Sequence, residues 1–317
     1  MRFLPLILLL PMLVACNDPT VDQWIDPDKT FAKLPQPDVP SVNQTLEKSA
    51  NDALEAGDIK RAAQFYKQLL DSDKATAADK MRYRTALADA SRRAGDNAGA
   101  RKLFDEILKD DPRNVDALEG KGLALMAEGK SAEAGRVLAQ VLENDPKRWR
   151  TLNALGILFV TKNMIPEAVE YFTEALKVSP DNSAVLNNVG LARAIEGNFP
   201  RAVEALQQAV KMSSTDARRK QVNLNLALVY GISGDMDSAK VVAEKYLEGA
   251  ALDNNLGLYS HLAKNDELAK TYLNMALTRS PTYYERAWQN LNVITNQSNP
   301  DTKANPRGVA PPPSVAN

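Results

Sequence analysis

The sequence predicts an all-α protein, a solenoid of about seven helix-turn-helix repeats that ends in a capping helix. Three observations support this prediction. An alanine-anchored pattern recurs with a period of 34 residues, from Ala100 to Ala134 and Ala168. A pair containing glycine or asparagine precedes most of the anchoring alanines, and a proline follows several copies of the pattern. A fixed period of this length is typical of repeat architectures.

The chain opens with a segment that has the features of a secretory signal peptide. Arg2 supplies a positive charge, residues 3–14 are almost entirely apolar, and Ala15 precedes the expected cleavage site. The apolar stretch is too short to cross the hydrocarbon core of a bilayer, about 30 Å thick, as a helix. We therefore assign residues 1–15 to a signal peptide.

The residues around the cleavage site, Leu13-Val14-Ala15-Cys16, resemble the bacterial lipobox. The resemblance implies that Cys16, the one cysteine of the chain, is alkylated with diacylglycerol and then acylated at its new amino terminus. Because Asn17 follows the cysteine where an aspartate would favour the inner membrane, the resemblance also implies sorting to the outer membrane, facing the periplasm.

A tether and a tail flank the predicted solenoid. Residues 16–42 form the tether, whose prolines prevent a continuous helix and favour an extended chain. Trp24 and Ile25 are the large apolar pair of the tether. The sequence leaves open whether this pair contacts the bilayer or the first repeat. Residues 43–295 are assigned to the solenoid, and residues 296–317, rich in Asn, Ser and Pro, to a disordered tail.

Each copy of the repeat predicts two helices joined by a tight turn. The first helix carries glycine or alanine where the second is expected to pack closest, and glycine in the turn supplies a left-handed helix cap. Proline ends several second helices, because its ring restricts the residue before it. The anchoring alanines of the second helices are Ala62, Ala100, Ala134, Ala168, Ala202, Ala239 and Ala269. The small residues of the first helices are Ala88, Gly122, Gly156, Gly190 and Ala227.

These positions match the tetratricopeptide repeat (TPR), and the resemblance covers roughly residues 43–281. It implies a right-handed TPR solenoid in which stacked neighbours bury the apolar face that a single helix pair leaves open. Residues 283–295 resemble the helix that closes such an array.

Composition argues against an enzyme and against a nucleic-acid-binding protein. Lysine plus arginine number 39 against 40 acidic residues, whereas nucleic-acid-binding domains usually carry a basic excess. One histidine, His261, and one cysteine leave little for a histidine-rich metal site or for a Ser-His-Asp triad with further acid-base groups, so we expect no catalytic residue, metal or cofactor. The run ending in Gly129-Lys130-Ser131 lacks the first glycine of a phosphate-binding loop and lies where other copies have their turn.

A groove along the first helices is the predicted protein-binding site. Asparagine inside a helix costs about 0.5 kcal/mol relative to alanine, so asparagines that recur at aligned positions suggest a role. In peptide-binding arrays of the TPR family, an asparagine at the place of Asn188 and Asn225 holds the backbone of an extended peptide; the alternative is that these residues only keep the groove hydrated. The predicted groove residues are Arg150, Asn153, Ile157, Asn187, Asn188, Leu191, Asn225 and Leu228.

One stretch narrows the family further. Residues 218–231, followed by Gly234, Ala239, Ala243 and residues 253–255, resemble the C-terminal half of the TadD-type lipoproteins of tight-adherence (Flp) pilus systems. The resemblance implies a non-enzymatic, pilotin-like scaffold at the outer membrane that binds a secretin or another pilus component. A periplasmic adaptor for a protease or for peptidoglycan enzymes is the alternative, because it would use the same groove.

Overall fold

A computed structural model describes residues 41–280 and 284–298, and every regular element in these ranges is an α-helix. The signal peptide, Cys16, nearly all of the tether and residues 299–317 lie outside the described residues. Fifteen helices follow one another in the described chain: α1 Val42–Glu55, α2 Ile59–Leu70, α3 Ala77–Arg93, α4 Asn97–Asp110, α5 Val115–Ala127, α6 Ser131–Asn144, α7 Trp149–Thr161, α8 Ile165–Val178, α9 Ser183–Ile195, α10 Phe199–Lys211, α11 Asp216–Ile232, α12 Met236–Ala243, α13 Gly249–Leu262, α14 Asp266–Arg279 and α15 Glu285–Ser298.

The first fourteen helices form seven hairpins, and α15 packs against the last of them. Each hairpin also contacts the next one along the chain, and first helices touch first helices, as α7 does α9 and α9 does α11. This arrangement confirms the predicted solenoid of seven helix-turn-helix repeats with a closing helix. None of the described helices combines the length and apolar composition needed to cross a membrane.

The anchoring alanines lie at the closest contact within each hairpin. All seven, from Ala62 to Ala269, have no exposed surface. A methyl side chain at this position lets the two helix backbones approach closely, and the apolar residue four positions later then fills the space beside it, as Phe104 and Phe172 do. The register of the predicted repeats is therefore correct in every copy.

Glycines in the first helices complete this contact from the other side. A Cβ atom added at Gly156 would lie 2.4 Å from Phe172 of α8, and one at Gly190 would lie 2.6 Å from Cγ of Leu206 in α10. Real Cβ atoms do not approach other atoms so closely, so these positions exclude any larger residue unless the partner helix moves.

The turns between the two helices use a left-handed residue, which in five of the seven described hairpins is followed by an Asp or Asn that caps the second helix. Five glycines, from Gly57 to Gly234, occupy this position with φ between 76° and 94°. In the fourth and seventh hairpins Asn163 and Lys264 adopt the same conformation, with φ of 59° and 61°. Gly129 has φ 76° between α5 and α6, which places the Gly129-Lys130 pair in a turn that follows a helix and excludes the strand a phosphate-binding loop requires.

The shorter spacing between the last two anchoring alanines has a local cause. The helix α12 has only 8 residues, whereas α10 has 13 and α14 has 14. Its end is followed by a turn of residues 244–246 and by Gly249, which has φ 54° and begins α13. The next hairpin therefore starts earlier in the sequence.

The close contact in the fifth hairpin predicts that Gly190→Ala destabilises the fold. The added methyl group raises helix propensity by about 1 kcal/mol, but overpacking against Leu206 and the Ala202 carbonyl oxygen costs about 1–3 kcal/mol. We expect a net loss of up to about 2 kcal/mol in chemical denaturation.

Gly135→Ala is the matched control, because its Cβ atom would meet only Leu158 Cδ1, at 3.8 Å. This variant should gain about 0.5–1 kcal/mol from helix propensity alone. Equal changes in the free energy of unfolding for the two variants would show that the close contact between α9 and α10 does not exclude a larger residue at position 190.

Candidate protein-binding groove

The first helices of three successive hairpins place the predicted groove residues side by side. Three of them, Asn153, Asn188 and Asn225, come one each from α7, α9 and α11. These first helices are neighbours in the array. The asparagine and apolar side chains at the predicted groove positions on them are half-buried, so they lie neither in the hairpin cores nor fully in solvent. We call the surface formed by these half-buried residues the asparagine groove: Asn153, Ile157, Asn187, Asn188, Leu191, Asn225 and Leu228.

The four asparagines form a continuous chain of hydrogen bonds, which we call the asparagine ladder. The Nδ2 of Asn225 donates to Oδ1 of Asn187 over 2.8 Å, and Asn187 donates in turn to Oδ1 of Asn188 over 3.3 Å. Asn188 then donates to Oδ1 of Asn153 over 2.8 Å. The ladder joins α11 to α9 and α9 to α7, so it links three hairpins through polar side chains.

The sequence analysis predicted that these asparagines share one surface, but it did not predict the hydrogen bonds between them. Each amide has two N–H donors and a carbonyl oxygen with two lone pairs. The ladder uses one N–H of each donor residue, so unused donor and acceptor positions remain along its length. In the described part of the chain no hydrogen bond is made by Nδ2 of Asn153 or by Oδ1 of Asn225. The groove floor therefore keeps free hydrogen-bonding positions at both ends of the ladder.

A second amide pair occurs further along the solenoid. Asn290 of α15 donates to Oδ1 of Asn254 of α13 over 3.0 Å, and Asn254 is nearly buried. In α11 the position that corresponds to Asn187 and Asn254 holds Leu224, which has no side-chain donor or acceptor. The ladder is therefore interrupted between α11 and α13.

Charged residues occupy the surface before α7. Glu119 of α5 is only 5% exposed, and it accepts a hydrogen bond from Thr151 Oγ1 over 2.7 Å. Arg148 lies 3.6 Å from the same carboxylate and bonds Asp116 over 2.5 Å. Burial lowers the pKa of Arg148, but the hydrogen bond to Asp116 and the neighbouring carboxylates outweigh this effect and raise the pKa above its usual value.

Arg150 differs from Arg148, because it is exposed and its guanidinium carbon lies 5.4 Å from the centre of the Trp149 ring. No carboxylate of the described residues lies within ion-pair distance of Arg150. It lines a pocket with Asp89 and Arg92 of α3, which pair with each other over 2.6 Å. The free cation of this surface therefore lies three residues from Asn153, at the end of the ladder.

Comparison with known proteins assigns the repeats. The family model described as tetratricopeptide repeat matches residues 85–148 and 153–217, which contain the first helices α5 and α9 in full, parts of α3 and α7, and the second helices α4, α6, α8 and α10. The repeats in these two segments match the tetratricopeptide repeat. No curated protein matches the chain.

Solved structures share the TPR fold at low sequence identity. A tetratricopeptide repeat protein from Parabacteroides merdae matches with a TM-score of 0.53 and 18% identity, over 80% of this chain and 99% of that one. PilW, described as a widely conserved type IV pilus biogenesis factor, gives 0.56 and 21%, over 70% of this chain and 100% of PilW. The APC/C hetero-tetramer Cut9–Hcn1 gives 0.60 and 18%, over 77% of this chain and 48% of that one.

The one histidine of the chain, His261, has a structural partner. His261 Nδ1 lies 2.7 Å from Asp266 Oδ1 across the turn between α13 and α14, and the adjacent Ser260 hydroxyl donates to the Leu256 carbonyl oxygen. Within residues 41–280 and 284–298, no group of three or more His, Cys, Asp or Glu side chains could hold a metal ion. The contacts of His261 are those of a residue that closes a TPR turn.

The asparagine ladder predicts a larger stability loss for Asn187→Ala than for the truncation of an asparagine outside the ladder. Asn187 both accepts from Asn225 and donates to Asn188, so its loss leaves two half-buried amides each without one partner. We expect about 1–2 kcal/mol less stability in chemical denaturation.

Asn255→Ala is the control, since Asn255 bonds only the Ala251 carbonyl oxygen of its own helix. That substitution should be neutral or gain about 0.5 kcal/mol of helix propensity. If both variants behave alike, the ladder does not stabilise the array.

Proposed function

We propose that this chain is a non-enzymatic scaffold that binds protein partners in the asparagine groove. The observation that carries the proposal is the composition of the groove. Half-buried amides with unused donors and acceptors lie beside Ile157, Leu191 and Leu228, which come from the three successive first helices α7, α9 and α11.

This combination suits an extended segment of another protein. A peptide backbone offers alternating N–H and C=O groups, and an amide side chain can pair with either. The apolar side chains between the amides add affinity by removing apolar surface of the partner from water, at roughly 25 cal/mol per Å². Arg150, exposed and without a carboxylate partner among the described residues, adds attraction for an acidic group at the α7 end of the groove.

The proposal for the place of this scaffold in the cell rests on sequence features alone. We infer that lipid at Cys16 anchors the protein to the outer membrane, with the TPR array in the periplasm. The resemblance of residues 218–255 to TadD-type lipoproteins suggests that the partner is a secretin or another component of a tight-adherence pilus. PilW, which shares the fold, is itself described as a pilus biogenesis factor.

A charge placed in the groove tests the binding surface. Leu191→Glu puts a carboxylate between the ladder asparagines, where it has to be desolvated when a partner binds, so we expect partner capture to fall at least about tenfold, a change of 1.4 kcal/mol. The measurement is photo-crosslinking from position 157 in cells, followed by quantification of captured protein. Leu262→Glu is the control, because Leu262 is 51% exposed at the end of α13, away from the groove.

The identity of the captured protein then separates the two functional classes. A secretin or another pilus component supports the pilus scaffold. A protease or a peptidoglycan enzyme supports the adaptor instead. Capture that survives Leu191→Glu but is lost in Leu262→Glu would remove the groove as the binding surface.

Removal of the lipid attachment site tests the anchor separately. Cys16→Ala should move the protein from the membrane fraction to the periplasmic fraction, because two or more acyl chains are needed for stable anchoring and this variant has none. Immunoblots of fractionated cells and counts of surface pili give the two readouts. Release from membranes with unchanged piliation would mean that anchoring is not part of the mechanism.

A further inference from the structure

A second surface of α7 faces an apolar cleft on the side opposite the asparagine groove. Successive residues of an α-helix are rotated by about 100°, so Arg150, Asn153 and Ile157 lie on one face of α7. Leu155 and Phe159 lie on the opposite face. We call this surface the outer cleft. The residues of its floor and walls come from α6, α7 and α8: Gly135, Leu142, Leu155, Leu158, Phe159 and Tyr171.

The outer cleft exists because one side chain is missing from α6. Gly135 aligns with Val169 of α8 and Val203 of α10, which both pack into the cores between their hairpins. A Cβ atom at Gly135 would meet only Leu158 Cδ1, at 3.8 Å, so the space beside it is open. The same position that is filled in the next two hairpins leaves a gap in the third.

The chemistry of the cleft specifies an aromatic and acidic occupant. The rings of Phe159 and Tyr171 are stacked, with centres 5.1 Å apart, and form an apolar wall. Arg136 and Lys162 are exposed on its rim, and no carboxylate of the described residues lies within 4.0 Å of either. The Lys162 Nζ instead lies 5.7 Å from the centre of the Phe159 ring. Glu143 is the acidic residue of the lining.

We propose that residues 22–26 of this same chain, Asp22-Gln23-Trp24-Ile25-Asp26, dock in the outer cleft. Trp24 and Ile25 cover the apolar wall, and the aspartates on either side of them face Arg136 and Lys162. This inference is independent of the groove and of what binds there.

Charge and composition favour this segment over the other end of the chain. Residues 17–40 contain five aspartates and two lysines, together with Trp24 and Phe31. Residues 299–317 contain Asp301 against Lys303 and Arg307, and no aromatic residue. The N-terminal segment therefore complements both the apolar wall and the cationic rim, whereas the C-terminal segment complements neither.

The segment is also long enough to reach the cleft. Fourteen residues separate Asp26 from Ser41, the N-cap of α1, and they span up to about 50 Å when extended. The five helix steps from α1 to α6 are each about 8–10 Å and alternate between two layers, so the straight distance is under about 50 Å. The prolines between these points favour the extended conformation.

Docking would shorten the tether. Only residues 17–21 would remain between the cleft and the lipid that we propose at Cys16, so the α6 side of the array would lie against the membrane. The asparagine groove, on the opposite face of α7, would then point away from it.

Zero-length crosslinking of the full chain, extracted in detergent, tests the docking. A carbodiimide joins a carboxylate to an amine only when the two are in contact, so we expect an amide bond between Lys162 and Asp22 or Asp26. A mixture of isotope-labelled and unlabelled chains distinguishes bonds within one molecule from bonds between two.

Two variants should lower the yield of this crosslink severalfold. Gly135→Leu fills the cleft, and thermal unfolding checks that the variant stays folded. Trp24→Ala changes a residue outside the described ranges and removes the proposed apolar anchor. Phe31→Ala in the same segment and Ala98→Leu on an exposed site of α4 are the matched controls and should leave the yield unchanged.

Three results would overturn the proposal. Lys162 crosslinks spread evenly over Asp18, Asp28 and Asp38 would indicate a freely moving tether. A yield unaffected by Gly135→Leu would place the contact elsewhere. Crosslinks that join labelled to unlabelled chains would assign the cleft to a second copy of the protein.

Discussion

The close approach of the two helices in each hairpin is the contact on which the rest of the structure depends. A fully buried alanine of the second helix lies at this contact, and in several hairpins a glycine of the first helix faces a large side chain of the second. Because the two helices of a hairpin touch so closely, the apolar residues one helical turn from the contact form a small core. Each core contains residues of one hairpin and of its neighbours in the array. Stability in such an array is approximately a sum of hairpin terms and nearest-neighbour terms.

The asparagine ladder adds a polar link where these cores are absent. The cores lie within and between hairpins, whereas the ladder runs along the first helices from α11 to α7. Half-buried amides are tolerated there because each has at least one partner in the neighbouring helix. The same bonds hold Ile157, Leu191 and Leu228 in a fixed relation, so the groove is already formed in the protein alone.

The period of the sequence was sufficient to predict the fold, because the repeat depends on residue size at a few positions. Alanine at positions 62 to 269 and glycine at the turns specify the hairpins without knowledge of distant contacts. The groove residues were also found, since copies aligned by these alanines place equivalent side chains on one surface. The ladder was not found, because a hydrogen bond between residues 35 or 38 positions apart depends on the rotation of one helix against the next.

The outer cleft could be predicted from the sequence only in part. Its cause, glycine at 135 where the next two copies have valine, is visible in the aligned repeats, yet an absent side chain has meaning only once its neighbours are placed. The alignment could have found Gly135, whereas the unpaired state of Arg136 and Lys162 required the structure.

The hydrogen bonds of the ladder all run in one direction, and this makes the groove floor asymmetric. Asn225 of α11 donates to Asn187, Asn187 donates to Asn188 within α9, and Asn188 donates to Asn153 of α7, which is the final acceptor. Surplus donor capacity therefore collects at Asn153, three residues from the cation of Arg150, and a free carbonyl oxygen is left at Asn225. The two ends of the groove are electrically different, and a segment lying along it in one orientation is not equivalent to the same segment reversed.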